Sequence, residues 1–183
     1  MGVLRQLGLG SVVASLAMLA SSAQADIVTF DDVANHTGAP FESGGLRFES
    51  PGSTYVWSGD GVHSDNGTLS LISGIGASFT ITKVGGGMFS IDQFDAGLSW
   101  YTLGTTGEIT VDGDLLTLTG NYQTFALTTL QNVSSVTVRF TLGDGYFAMD
   151  NIVWHDAGAL PEPASFALVG LALLATGVAR RRR

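Results

Sequence analysis

Apolar and polar residues alternate along most of the chain between Ile27 and Trp154, and this alternation restricts the fold more than any other feature. Runs with this pattern occur at residues 78–82, 109–111, 116–118 and 136–140, and in part at 88–91. A period of two buries one side of a strand and exposes the other, which is typical of antiparallel sheets. No convincing helical period occurs in the same region, so an all-β domain is predicted.

Turn signals separate these runs. Asp112-Gly113 lies between two of them and is typical of a hairpin, because both positions tolerate positive φ. Gly143-Asp144-Gly145 marks another turn, and Val84 to Gly87 reads as a loop. Further strands are expected at Leu46–Glu49 and at 54–57. About ten short strands predict a two-sheet antiparallel β-sandwich of jelly-roll type.

The first 25 residues resemble a secretory signal peptide and are excluded from the domain. Arg5 supplies the positive start, and residues 7–19 form an apolar segment. Ala23 and Ala25 fit the small-x-small rule for cleavage, so the mature chain is expected to begin at Asp26. The signal segment is predicted to be helical.

The last residues form a second apolar segment. Ala164 to Ala179 is a run of 16 residues without charge. As a helix, predicted at about 163–180, it would be about 24 Å long, shorter than the roughly 30 Å hydrocarbon core of a bilayer. Arg180 to Arg183 favour a cytoplasmic end, which places the rest of the chain outside. The segment is either a plain membrane anchor or a transient anchor that is removed after sorting.

The order of parts in this tail resembles the bacterial PEP-CTERM sorting signal. Pro161, Glu162 and Pro163 precede the apolar run, and the chain closes with Arg180, Arg181, Arg182 and Arg183. The resemblance implies recognition by an exosortase, a membrane transpeptidase, with cleavage near the Pro-Glu-Pro motif. It also implies a producer of exopolysaccharide. The predicted organisation is therefore a signal peptide at 1–25, a sandwich at 26–156, a linker at 157–160 and a sorting segment at 161–183.

The chain between the two ends is long enough for one domain with its own core. It contains three basic residues, Arg47, Lys83 and Arg139, against fifteen acidic ones, which is a net charge of −12. Such a surface repels nucleic acid and anionic lipid, and it suits an uncharged sugar, a divalent cation or plain solubility. There is no cysteine, so the domain must be stabilised by core burial, with or without a metal ion.

The two ends of the domain are similar to the first and last strands of carbohydrate-binding-module-like β-sandwiches. Residues 27–32 read Ile-Val-Thr-Phe-Asp-Asp, and residues 145–153 end in Asp-Asn-Ile-Val. In such sandwiches these strands often lie side by side and share a structural Ca²⁺. The resemblance implies Asp31, Asp32 and Asp150 as its ligands, and carboxylate oxygens suit calcium. Alternatively, Asp31 and Asp32 cap a loop and Asp150 accepts backbone N–H groups. The loop at 60–67 is a weaker metal candidate.

Aromatic residues beside polar ones suggest a sugar-binding surface, because rings stack on pyranose faces while polar groups bind the hydroxyls. The candidate rings are those of Tyr55, Trp57, Trp100, Tyr101 and Tyr122. The alternative is that the rings belong to the core, above all those of Trp57, Trp100 and Trp154.

Motifs for catalysis are lacking in the sequence. The histidines at positions 36, 63 and 155 have no metal-ligand spacing, and no Gly-x-Ser-x-Gly motif occurs. No catalytic residue is predicted, and the chain is predicted not to be an enzyme. A small glycan-active enzyme is kept as an alternative, because paired carboxylates could serve one.

Together these features predict an exported, non-catalytic protein of the cell surface or of an exopolysaccharide biofilm matrix. It would cross the inner membrane and be anchored transiently or stably by its tail. Its predicted partners are signal peptidase, an exosortase-type transpeptidase and exopolysaccharide, and nucleic acid is excluded. A purely structural or adhesive protein without a ligand is a further alternative.

Overall fold

The computed structural model describes residues 25–58, 66–99 and 105–157, and within these ranges the regular structure is all β. The described strands are β1 (Asp26–Val28), β2 (Phe41–Ser43), β3 (Leu46–Glu49), β4 (Thr54–Ser58), β5 (Leu69–Gly74), β6 (Ser78–Lys83), β7 (Phe89–Ser99), β8 (Gly107–Val111), β9 (Asp114–Leu118), β10 (Gln123–Ala126), β11 (Val136–Leu142) and β12 (Tyr146–Asp156). A compact unit extends from Ala25 to Gly158.

The strands form two antiparallel sheets of six strands each. Sheet A has the order β10-β7-β12-β5-β4, and β1 pairs with β12. Sheet B has the order β2-β3-β6-β11-β8-β9. The predicted two-sheet antiparallel sandwich is confirmed. The first and last strands lie side by side, as the resemblance of the two domain ends implied.

The core lies between the sheets and is rich in phenylalanine. Period-two burial is clear in β6, where Phe79 and Ile81 are buried while Thr80 and Thr82 are not. Phe79 stacks on Phe147 of the opposite sheet with ring centroids 6.1 Å apart. Burial of each such ring contributes about 1.5–3 kcal/mol to stability relative to exposure. The apolar residues of the alternating pattern are therefore the side chains whose burial holds the two sheets together.

The predicted hairpin at Asp112-Gly113 is present between β8 and β9. Asp112 has φ 48° and Gly113 has φ 97°, and Val111 pairs with Asp114 on either side of the turn. Positive φ at both central positions matches the right-handed twist of the flanking strands. This turn fixes which residues of β8 and β9 face each other.

Two strands are longer than the short ones that the sequence predicted. β7 and β12 each contain 11 residues, and they pair along almost their whole length. The register shifts between Asp150 and Val153, where Asn151 has φ 49°. Met149 and Ile152 consequently both face the core. A bulge of this kind shifts the alternation by one residue, so strict period-two patterns end at it.

The free edge of β4 is covered by the segment before β2. His36 N donates to Val56 O at 2.8 Å, and Val56 N donates to Thr37 O at 2.9 Å. Farther along, Ala39 N donates to Thr54 O at 3.1 Å. This segment satisfies backbone groups that an uncovered edge strand would offer to another chain.

The predicted flanking helices lie outside the described residues. Within residues 25–58, 66–99 and 105–157, there is no helix of the length and apolar character that crossing a membrane requires.

Candidate functional site

One side of sheet A faces away from the core. Two of the predicted sugar-binding rings, those of Tyr55 and Trp57 on β4, lie on this side. Tyr55 and Trp57 alternate with Val56, which belongs to the core. Tyr146 and Ala148 alternate in the same way with Phe147 and Met149 on β12. We call this outward side of β4, β5, β12 and β7 the aromatic face.

A continuous strip of rings runs along the aromatic face. The rings of His36 and Trp57 are stacked, with centroids 4.2 Å apart and an interplanar angle of 20°. Tyr55 meets Trp57 edge-on at 6.2 Å, and it meets Tyr146 edge-on at 6.2 Å as well. Edge-to-face contacts at this range are favourable because of the ring quadrupoles. The four rings therefore support each other's orientation.

The hydroxyl of Tyr55 remains protonated at neutral pH. Burial raises the pKa of Tyr55, and the neighbouring Tyr146, to which it is hydrogen-bonded, raises it further. A phenol in this state can donate or accept a hydrogen bond. The strip thus presents apolar ring surface with polar groups attached to it.

Small side chains and one isoleucine lie beside the strip. In the pairing register, Tyr55 is opposite Ile72, Ile72 is opposite Ala148, and Ala148 is opposite Gly97. Ile72 and Ala148 are buried although neither belongs to the core cluster between the sheets. The row of Ile72, Ala148 and Gly97 thus consists of covered apolar residues in register with Tyr55.

A buried carboxylate, Asp150, closes one end of the face. Its Oδ2 accepts hydrogen bonds from Asn66 Nδ2 at 2.6 Å and Thr68 Oγ1 at 2.9 Å, and its Oδ1 accepts one from Asn151 N at 2.7 Å. Burial raises the pKa of Asp150, and the nearby Asp31 raises it further, while the three hydrogen bonds oppose the shift. Asp150 is therefore a strongly connected group that ties β12 to the start of β5.

Asp95 on β7 is the neighbouring carboxylate and is only half-buried. Its Oδ1 accepts a hydrogen bond from Thr124 Oγ1 at 2.6 Å, and its Oδ2 accepts one from Asn151 Nδ2 at 2.9 Å. In the ladder, Asp95 pairs directly with Asp150. Each oxygen of Asp95 keeps a further lone pair, so it can accept a hydrogen bond from a ligand hydroxyl.

The three carboxylates predicted to share a calcium ion are not all in one place. Asp31 lies close to Asp150, and its Oδ1 accepts a hydrogen bond from Leu69 N at 3.3 Å. Asp32 instead accepts hydrogen bonds from Ser43 Oγ and, at 3.1 Å, from Gly44 N, in the β2–β3 turn. In the part of the chain that the structure describes, no three His, Asp or Glu side chains are grouped to hold a metal ion. Calcium binding stays a prediction, and Asp31 and Asp150 are the two residues of the set that lie together.

The remaining ring predictions have different outcomes. Tyr122 is half-buried and lies just before β10, and its hydroxyl is buried. Trp100 and Tyr101 follow the end of β7 and lie outside the described residues. Trp154 belongs to the core, where its Nε1 donates to Gly44 O at 3.0 Å.

Sequence patterns did not single out several residues of the face. His36 and Tyr146 belong to the strip, while Asp95 and Asn151 form the polar end. They come from three separate parts of the chain, and only strand pairing brings them together. The one available signal was the spacing of Tyr146 and Asp150, since residues four apart on a strand share a side.

The terminal predictions are mostly outside the described ranges. These are the signal residue Ala23 and the sorting residues Pro161, Glu162, Pro163, Arg180, Arg181, Arg182 and Arg183. Ala25 is described and exposed. Asp26, the expected first residue of the mature chain, begins β1 and pairs with Trp154.

Comparison with solved structures finds distant likenesses. The arabinose-bound α-L-arabinofuranosidase MgGH51 matches at 11% identity with a TM-score of 0.44, over 73% of this chain and 26% of that one. TmCBM61 in complex with β-1,4-galactotriose matches at 12% identity with a TM-score of 0.36, over 66% of this chain and 97% of that one. The chain thus spans about a quarter of the arabinofuranosidase. At these TM-scores no ligand or activity is transferred.

No curated protein sequence matches the chain. Residues 159–183, however, match the family model described as the PEP-CTERM protein-sorting motif. The match confirms the resemblance of the tail, and it covers the tail without extending into the sandwich. A motif of this kind implies export, anchoring through the C-terminus and processing by an exosortase-type system.

Proposed function

We propose that this chain is a non-catalytic protein of the cell surface or the exopolysaccharide matrix, and that its sandwich binds glycan through the aromatic face. An exosortase-type transpeptidase would sort it after signal peptidase has released its N-terminus. The proposal goes beyond sorting in three respects: it assigns a matrix location, it excludes catalysis and it assigns a glycan ligand.

The tail supports the sorting part of the proposal. The sorting motif matches at 159–183, and the apolar run inside it is only long enough for a marginal span. A weak anchor suits a tail that a transpeptidase recognises and then replaces with another attachment. The charge of −12 between the two ends suits a body outside the cytoplasm that does not bind nucleic acid.

The strip of His36, Trp57, Tyr55 and Tyr146 is the observation that carries the binding part. A stable sandwich does not need four contiguous rings on the side that faces away from its core, since they add nothing to the burial between its sheets. Rings that are half exposed beside hydroxyl, amide and carboxylate groups match what a pyranose requires. A pyranose stacks its apolar face on an aromatic ring and donates hydrogen bonds from its hydroxyls.

Binding to glycans tests this part. The full-length chain, kept in a detergent without sugar groups, is titrated with neutral polysaccharides and with exopolysaccharide from the producing cells. We expect Trp57→Ala to weaken binding at least tenfold, which corresponds to about 1.4 kcal/mol. Leu115→Ala is the matched control, because Leu115 is exposed on β9 of the other sheet. We expect its affinity to equal that of the unchanged chain.

Each other outcome of the titration would contradict one part of the proposed function. Absence of binding to every glycan would favour a structural or adhesive protein without a ligand. Release of reducing ends during the incubation would favour a glycan-active enzyme. Equal loss of affinity in both variants would place binding elsewhere on the molecule.

Mass spectrometry of the mature C-terminus tests the sorting part. We expect the last peptide of the surface-located protein to end near Pro161 to Pro163, because the resemblance implies cleavage there. Replacement of the three residues Pro161, Glu162 and Pro163 by alanine should leave the tail attached. A peptide extending through Ala175 in surface-located protein would contradict processing.

A further inference from the structure

The positive charges of the sandwich all lie on one sheet. Arg47, Lys83 and Arg139 belong to β3, β6 and β11, which are strands of sheet B. Between residues 26 and 156 the sequence contains no other lysine or arginine. The strands of sheet A therefore contribute acidic side chains but no lysine or arginine, and their histidine, His155, contacts Asp92 at 3.0 Å.

These three cations are also held away from the aromatic face. Arg47 pairs with Glu42 and Glu49 on the outward side of sheet B, at 3.3 and 2.6 Å. Lys83 Nζ contacts Asp156 Oδ1 at 2.6 Å. Asp156 lies six residues after Asp150 on β12, which is about 20 Å along a strand. That is more than twice the Debye length of about 8 Å at physiological salt, so Lys83 offsets little charge at Asp150.

The acidic groups of the face are close together. Asp95 and Asp150 are directly opposed in the ladder, and Asp31 lies beside Asp150. Like charges directly opposed on neighbouring strands are destabilising. Thr124 and Asn151 hold the carboxylate of Asp95 in place through hydrogen bonds to its two oxygens. The negative charge of Asp95 thus lies at the polar end of the face, three strands or about 14 Å from Trp57, and no lysine or arginine of sheet A lies there.

From this arrangement we infer that the aromatic face selects uncharged glycan chains and rejects chains that bear uronate or other anionic groups. We further infer that Asp95 is the residue that sets this preference. The inference rests on the proposed glycan binding and adds the class of glycan. A sugar stacked on Trp57 or Tyr55 brings its substituents toward the polar end of the face. There a hydroxyl finds an acceptor, whereas a carboxylate meets the negative charge of Asp95 with no lysine or arginine of sheet A to pair with.

Pairs of polymers that differ only in charge test the inference. The probes are β-1,4-glucan, β-1,4-galactan and β-1,4-mannan oligosaccharides, each used as such and after oxidation of C6 to the uronate. The measured quantity is the ratio of the dissociation constants within each pair for the full-length chain. At low salt we expect the uronate form to bind at least tenfold more weakly, and 0.5 M NaCl should reduce that ratio severalfold because it screens the repulsion.

Two variants separate the local effect from the net charge of the protein. Asp95→Asn should reduce the ratio at low salt. Glu108→Gln removes the same charge from β8 on the other sheet and should leave the ratio unchanged. The salt dependence of the unchanged chain keeps the inference testable if Asp95→Asn does not fold.

The outcomes distinguish the inference from the proposal beneath it. Binding of no oligosaccharide would overturn the proposed function itself. Binding of the uronate forms as tightly as the neutral forms would overturn the inference alone. An equal reduction of the ratio by both variants would also overturn it, because net charge and not the face would then set the preference.

Discussion

At the scale of single residues, Asp150 carries an electrostatic cost because its carboxyl group is buried. It is fully buried, accepts three hydrogen bonds and lies near a second carboxylate, Asp31. The hydrogen bonds hold Asn66 and Thr68, which directly precede β5, against β12. The resulting order at the end of the aromatic face offsets the cost of burying Asp150. Removing the acceptor altogether would leave Asn66 and Thr68 without this partner.

Asp150 makes stability depend on pH in a definite direction. Its folded pKa lies above the ordinary value, so the folded state binds the proton more readily than the unfolded state does. The associated stability is present below the unfolded pKa, near 4, and is lost as the pH rises through the folded pKa. In urea titrations at pH 7 and pH 5, we therefore expect the unchanged chain to gain stability relative to Asp150→Asn at the lower pH.

The control for this titration is Asp112→Asn, which alters an exposed turn where asparagine is well tolerated. Its stability relative to the unchanged chain should vary less between the two pH values. A constant difference between the unchanged chain and Asp150→Asn would contradict the assignment.

At the scale of elements, the start of β8 is where the two sheets approach most tightly around a glycine. A Cβ on Gly107 would lie 2.5 Å from Leu98 Cδ2 of β7 and 3.0 Å from Leu142 O of β11. Ordinary carbon contacts begin near 3.5 Å, so one of these elements would have to move. The absence of a side chain at residue 107 thus lets β7 pack over the β8–β11 ladder.

We expect Gly107→Ala to lower the free energy of unfolding by about 1–3 kcal/mol, as overpacking does in close-packed cores. Gly38→Ala is the matched control, because a Cβ there meets nothing within 4 Å. Thermal and urea denaturation of both variants would measure the difference. Equal destabilisation by the two substitutions would show that backbone freedom, and not space, is what matters at residue 107.

At the scale of the whole molecule, calcium binding is the prediction with the broadest consequence. An ion bound only by the folded state stabilises it, by about 2.7 kcal/mol at a hundred times the dissociation constant. We expect millimolar calcium to raise the melting temperature above that in EDTA by several degrees. Asp31→Asn should abolish the rise. Asp32→Asn should not, because Asp32 is engaged by Ser43 and Gly44.

An unchanged melting temperature in calcium and in EDTA would remove the calcium site. The sandwich would then depend on core burial alone, as a domain without cysteine can. Loss of the response in both variants would instead return Asp32 to the ligand set.

Local patterns were enough for the fold class and for the sorting motif. Alternation in β6 and β11, the Asp112-Gly113 turn and the order of parts in the tail are all properties of neighbouring residues. Such features depend on the period of a strand, the φ preferences of a turn and the length of an apolar run. The lengths of β7 and β12 were missed, because the bulge at Asn151 shifts the pattern within a strand that continues.

The sequence by itself thus determined that the chain forms a two-sheet sandwich, through its apolar–polar alternation, and that it contains a sorting motif in its tail. Only the tertiary structure decided which residues meet. His36, Tyr55 and Tyr146 belong to one strip, Asp95 opposes Asp150, and the carboxylates of Asp31 and Asp32 accept hydrogen bonds from different elements. The physical reason is that strand pairing joins residues far apart in the chain, such as Asp26 and Trp154. No periodicity within a single segment encodes which strand becomes its neighbour.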